Sequence, residues 1–255
     1  MARRTLIGLV VLLVVAGPLG VQAQRGRGGQ VAAKGAAPVD LTGYWVTVVT
    51  EDWRYRMVTP MRGDHPSVPL NAEGVRVADA WDPARDEASG EQCKAYGAAG
   101  VMRAPGRLRI SWQDDNALKI ETEAGTQTRV LRFGDAQPPE SGGSPSWQGD
   151  SVALWEFAGG RRGARGAGTP GGDLKVVTTR MRPGYLQKNG VPYSVTAVLT
   201  EYFARTFEPN GDSWLILTAV VEDPQYLTGR FVRSTHYKRL PDNNSMWEPE
   251  PCAAR

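Results

Sequence analysis

From Gly106 onward, apolar side chains recur at every second position. Leu108, Ile110 and Trp112 alternate with Arg107, Arg109 and Ser111, then Leu118, Ile120 and Thr122 alternate with Lys119, Glu121 and Glu123. Such a period puts alternate side chains on one face of a sheet, which a helix cannot do. Turns at residues 113–116 and at Ala124-Gly125 separate these runs, and residues 127–133 return, so a three-strand meander is predicted. Residues 151–157, 173–180, 195–207, 213–222 and 230–239 read as further strands. The clearest hairpin joins the third and fourth of these through Glu208-Pro209-Asn210-Gly211-Asp212. An opening strand over residues 40–50 completes the set, with residues 52–58 as its continuation or hairpin partner. There Trp53, Tyr55 and Met57 share one face and Arg54 and Arg56 the other. The count is about nine or ten strands. Closure into a barrel hides the edges that so long an antiparallel sheet exposes. The expected class is all-β with one short helix, an antiparallel barrel.

That helix is predicted over residues 71–81, with Asn71 as its cap and Glu73 in its first turn. Val75, Ala78 and Trp81 face the sheet, and Pro83 stops it. Residues 82–105 read as an irregular crossing, and residues 183–192 as a loop containing Asn189-Gly190. Residues 1–23 carry a basic start, an apolar run and a small-residue cleavage site at Val21-Gln22-Ala23, the pattern of a secretory signal peptide. The apolar run is too short to favour a membrane span. Residues 24–39 read as a disordered lead-in and residues 40–255 as one barrel domain. The Gly/Arg tract at 158–172 forms a flexible loop within it. The expected location is periplasmic or secreted, by general secretion or twin-arginine export.

Loss of the signal removes Arg3 and Arg4 from 30 basic residues, leaving 28 against 27 acids, a formal charge of +1. The bases follow no patterned face, so no nucleic-acid partner is expected. The chain has two cysteines, Cys93 and Cys252. In an oxidising compartment they read as one structural disulfide, the rival being two free thiols. Closing so long a loop stabilises by about 4 to 5 kcal/mol in the chain-entropy picture.

Two resemblances bear on fold. Gly43-Tyr44-Trp45 resembles the glycine-any-tryptophan signature with which lipocalins and their calycin relatives open their barrels. The resemblance implies a lipocalin-like barrel whose closed end is plugged by Trp45. Ser146-Trp147-Gln148-Gly149-Asp150, Asn189-Gly190-Val191-Pro192-Tyr193, Thr200-Glu201-Tyr202-Phe203 and Val221-Glu222-Asp223-Pro224 resemble a large group of uncharacterised secreted bacterial proteins. That likeness spans roughly residues 93–239 and implies no chemistry. The usual short loop before Leu174 is enlarged here by the Gly/Arg tract.

The two histidines, His65 and His236, stand apart, and no zinc-binding, phosphate-cradling or nucleophile-elbow motif occurs. No metal site and no cofactor are expected. The chain holds eight tryptophans and eight tyrosines against five phenylalanines. Side chains with an apolar body and a polar handle suit a partly wet pocket. Trp45, Trp53, Arg54, Trp112, Trp147, Trp155, Tyr185 and Glu201 are the candidate ligand-binding residues, although core filling accounts for the strand tryptophans individually. Glu201 shares a face with Ala197, Leu199 and Phe203. Inside a cavity, desolvation raises such a carboxyl and makes it a candidate general acid or base. Arg54, Arg109, Arg129 and Arg180 are candidate partners, and a cross-strand Arg–Glu tie is the plainer alternative.

The expected function is an exported, non-enzymatic protein holding a small hydrophobic or amphipathic molecule in an aromatic-lined barrel. A cofactor-free isomerase, cyclase or hydratase using Glu201 in the same cavity is the alternative. An envelope module binding glycan or protein through exposed Trp147 and Tyr185 is the third.

Overall fold

The computed structural model describes residues 31–134, 144–157, 172–242 and 246–255. The expected signal peptide and all but the last residue of the Gly/Arg loop lie outside them. Nine strands close into a barrel: β1 (Gly43–Val48), β2 (Arg107–Asp114), β3 (Ala117–Thr122), β4 (Gln127–Phe133), β5 (Asp150–Phe157), β6 (Gly172–Thr179), β9 (Val198–Phe207), β10 (Ser213–Glu222) and β11 (Phe231–Arg239). Going round the wall, each strand lies beside its neighbours in the chain, and β1 pairs with β11 to seal the ring. The remaining strands, β7 (Gly184–Gln187) and β8 (Val191–Tyr193), form a separate hairpin about Asn189-Gly190, where a loop was expected.

The barrel is not wholly antiparallel. β4 and β5 run parallel, with Leu131 opposite Ser151 and Phe133 opposite Ala153. A ring of nine strands cannot reverse direction at every step and still close, so at least one parallel step is required. The long connection after β4 supplies it, since a parallel pair cannot be joined by a tight hairpin.

Residues 52–58 are a second correction. They form not a strand but a short helix, α1 (Trp53–Arg56), entered through Asp52 at φ 50°. Its alternation of aromatics and arginines mimics a strand because four residues are too few to show a helical period. The predicted helix is α2 (Ala72–Asp79); Asn71 caps it, its side chain accepting from Gly74 N–H at 2.9 Å. Pro83 does not merely stop it but opens α3 (Pro83–Ala88), where Asp82 accepts from Ala84 N–H at 3.1 Å. A 3-10 turn (Lys94–Tyr96) and α4 (Ala98–Val101) follow, so the expected irregular crossing is largely helical.

Among the described residues, two buried clusters form the interior. The first, around Trp45, Leu108, Leu131, Trp155 and Phe203, occupies the end where β11 finishes. Phe133 stacks there between Trp112 and Trp155, with centroids 5.7 and 5.3 Å away. The second, around Tyr193, Leu199, Val221 and Phe231, lies where β11 begins, and α4 and the β7–β8 hairpin add Ala98, Ala99, Leu186 and Val191 to it. Residues 31–39, within the expected lead-in, pack Ala33, Ala37 and Val39 against the first cluster.

Cys93 and Cys252 form a disulfide with Cα atoms 5.1 Å apart, across 159 residues of sequence. The tail reaches it along the β3–β4 turn, where Glu250 N–H donates to Glu123 O at 2.9 Å. Gly125 in that turn has φ 70°, and a Cβ there would strike the Tyr96 ring, so the turn requires glycine. Among the described residues no helix is long and apolar enough to cross a membrane.

Candidate functional site

Strand alternation turns Arg129 on β4 inward with Leu131 and Phe133, and Glu201 on β9 inward with Leu199 and Phe203. Their exposures are 1% and 0%. Arg129 Nη1 donates to Glu201 Oε1 at 2.9 Å and Nη2 to Oε2 at 2.6 Å, a two-pronged pairing that occupies both carboxylate oxygens. Nη2 also lies 3.4 Å from Thr178 Oγ1, which is 2.8 Å from Ser151 Oγ. Desolvating two charges costs several kcal/mol each, and only such geometry offsets it. Of the arginines considered as partners for Glu201, the structure selects Arg129, in a tie across the barrel. A general acid or base must reach a substrate proton directly or through one water. In this arrangement both Glu201 oxygens face a guanidinium.

The aromatic candidates do not converge. Trp45 is fully buried, donates from Nε1 to Leu41 O at 3.0 Å, and is covered by the guanidiniums of Arg205 and Arg239. Trp112 and Trp155 belong to the Phe133 stack, and Trp155 Nε1 donates to Ala33 O at 3.0 Å. Trp53 is 65% exposed on α1, outside the barrel, and Arg54 pairs with Asp64 at 2.5 Å. Trp147 is half-buried beneath Arg182, whose guanidinium is 4.3 Å from its ring centroid. Tyr185 is also half-buried and donates to Asp86 Oδ2 at 2.7 Å. Burial, seconded by Asp86, raises its hydroxyl well above the ordinary tyrosine range.

A second charged cluster, not singled out from sequence, lies at the helix-covered end. Arg56 on α1 and Arg103 just after α4 are 5% and 8% exposed. Arg56 donates from Nε to Arg103 O at 2.9 Å and from Nη1 to Glu51. Arg103 Nη2 donates to Asp52 Oδ2 at 2.9 Å, and Arg233 Nε lies 2.8 Å from the same oxygen. Among the described residues, one terminal nitrogen of each buried arginine, Arg56 Nη2 and Arg103 Nη1, has no protein partner. Burial and then the neighbouring Arg56 push the Arg103 guanidinium below its ordinary range. Both arginines line a cleft of about 30 Å³ with Tyr55, Tyr96, Leu186 and Lys188. Arg56 escaped sequence reading because the strand assignment grouped it only with Arg54, on the face opposite Trp53, Tyr55 and Met57. Arg103 did carry a signal, an arginine inside the otherwise apolar run Val101-Met102-Arg103-Ala104.

Tyr237 stands between the two clusters. It is fully buried, its hydroxyl donates to Met102 O, and Arg56, Glu201, Arg129 and Arg103 all act on it electrostatically. Burial is the main cause of its raised hydroxyl. Among the described residues no group of three or more His, Cys, Asp or Glu is placed to hold a metal. No family model, curated protein or solved structure matches the chain.

Proposed function

We propose that this protein is an exported, non-enzymatic binding protein of lipocalin-like build, whose ligand is a small amphipathic molecule taken at the helix-covered end of the barrel. One observation carries the reading. Residues 53–61 present Trp53, Met57, Val58 and Met61, 65%, 58%, 61% and 80% exposed, on the same segment that sends Arg56 into the basic cleft. Apolar surface beside a few fixed polar groups is what an amphipathic molecule requires. The barrel interior offers less, because Trp45, Arg129, Tyr237, Phe203 and Leu131 are among the side chains fully buried there. The closed barrel and Gly43-Tyr44-Trp45 support the lipocalin-like build, and the apolar start of the chain and the disulfide support export.

The test is native mass spectrometry of the mature protein from its own periplasm, followed by extraction of the denatured sample. A stoichiometric amphipathic molecule, retained by Glu201→Gln and lost from a Trp53→Ser/Met57→Ser variant, is expected. A protein that carries nothing, and whose tryptophan fluorescence no amphiphile alters, would refute the reading.

A further inference from the structure

The arginine-lined cleft is a place where cations outnumber the acids that neutralise them. Its lining includes Arg56, Arg103 and Lys188 and no carboxylate. Behind it, Glu51 serves Arg56 and also lies 3.3 Å from His236, while Asp52 is shared between Arg103 and Arg233. Three full cations thus meet two carboxylates, and Lys188 adds a fourth at the cleft, 5.5 Å from the Tyr96 ring centroid. The two innermost cations, more than nine-tenths buried, each keep one N–H-bearing nitrogen unused. A buried donor left unsatisfied is costly, and more so when it is charged. The Arg103 guanidinium is already disfavoured by burial and by Arg56. An incoming negative charge would relieve both.

Resting on the ligand-binding reading above, we propose that Arg56 and Arg103 form an oxyanion site that receives the anionic head of the ligand, a phosphate, sulfate or carboxylate group. A planar guanidinium donates along fixed directions, so two of them favour a group with several acceptor oxygens over a lone halide. The cleft is too small to take a whole ligand, so only its head group would enter. The rest of the ligand lies outward, past Tyr55 and Leu186 toward the exposed face of α1. Gln187, whose Oε1 also lacks a protein partner, lines the same cleft and orders a water or a protonated oxygen of the head group.

The experiment titrates the full mature protein with decyl phosphate, decanol and inorganic phosphate, read by calorimetry and by amide shifts of residues 94–104. Decyl phosphate is expected to bind at least tenfold more tightly than decanol. Arg103→Gln should erase that difference while leaving decanol unchanged. Lys188→Gln, a half-buried position at the rim, should weaken decyl phosphate a few-fold and serves if the arginine variant fails to fold. Equal affinity for decyl phosphate and decanol, unaltered in Lys188→Gln, overturns the oxyanion site while the amphiphile reading stands. Saturable shifts with inorganic phosphate but no gain from the decyl chain keep the site and overturn the amphiphile. No response at residues 94–104 to either phosphate means that the cleft holds water alone, and overturns the proposal.

Discussion

The middle of the barrel and its helix-covered end both bury arginine, and they resolve the same electrostatic problem differently. At the middle, Arg129 and Glu201 meet one to one, through two parallel hydrogen bonds of 2.9 and 2.6 Å. At the end, Arg56, Arg103 and Arg233 share Glu51 and Asp52, three cations to two acids. Among the described residues, unused guanidinium nitrogens occur in both regions, Arg56 Nη2 and Arg103 Nη1 at the end and Arg129 Nε in the middle, so the difference is one of charge. A matched pair closes on itself and stiffens the wall that carries it. An unmatched cluster is held up by its surroundings and keeps an attraction for something outside. Burial alone therefore does not mark a functional charge; the balance of partners does.

Breaking the disulfide should show the contrast most strongly. Cys93 directly precedes the 3-10 turn that lines the cleft, and Cys252 lies against the start of β4 at Gln127, whereas Glu201 sits on β9, far from both in the chain. Cys93→Ser/Cys252→Ser should cost about 4 to 5 kcal/mol by chemical denaturation. Hydrogen exchange should rise first across residues 94–103. Equal loosening of β4 and β9 would mean that the two regions are not independent.

The central pair comes next. Glu201→Ala leaves Arg129 buried without a counter-charge and should cost roughly 3 to 5 kcal/mol, while Arg129→Met/Glu201→Leu should recover most of it. A double variant as unstable as the single one would show that the pair contributes more than charge matching.

The smallest effect is a pH dependence. Burial raises the hydroxyls of Tyr193 and Tyr237 above their ordinary 10.0. The unfolded chain gives up these protons first as pH rises. Their contribution is therefore complete below pH 10 and is lost above it, by up to about 1.4 kcal/mol per pH unit for each group. Tyr237→Phe should flatten that alkaline slope by one proton in urea titrations, and an unchanged slope would place the hydroxyl in water.

The wall of the barrel was legible because strict alternation survives in β2, β3, β4, β9 and β10, and parity alone put Glu201 among Leu199 and Phe203. The same parity puts Arg129 with Leu131 and Phe133, so both halves of the central pair were readable as inward charges. Their pairing was not, because Arg129 and Glu201 lie 72 positions apart in the chain, on strands that do not touch in the wall. The cleft was illegible for a different reason. It is assembled from a four-residue helix, a 3-10 turn, the start of a loop and a small hairpin, each too short to show a period. Trp53 misled for the same reason: its alternation with Tyr55 read as a strand and made it a candidate ligand-binding residue of the barrel, whereas it stands exposed on α1.

The parallel step between β4 and β5 has a consequence for how such a chain can change. An odd ring of alternating directions is frustrated, like an odd loop of antiferromagnetic spins, and its mismatch can be moved but not removed. Shortening the β4–β5 connection to a tight hairpin would reverse β5, and the conflict would reappear at another seam. Strands can therefore join or leave this wall only in pairs, unless the mismatch leaves with one of them. The long connection after β4 is the part of the chain that lets nine strands make a ring.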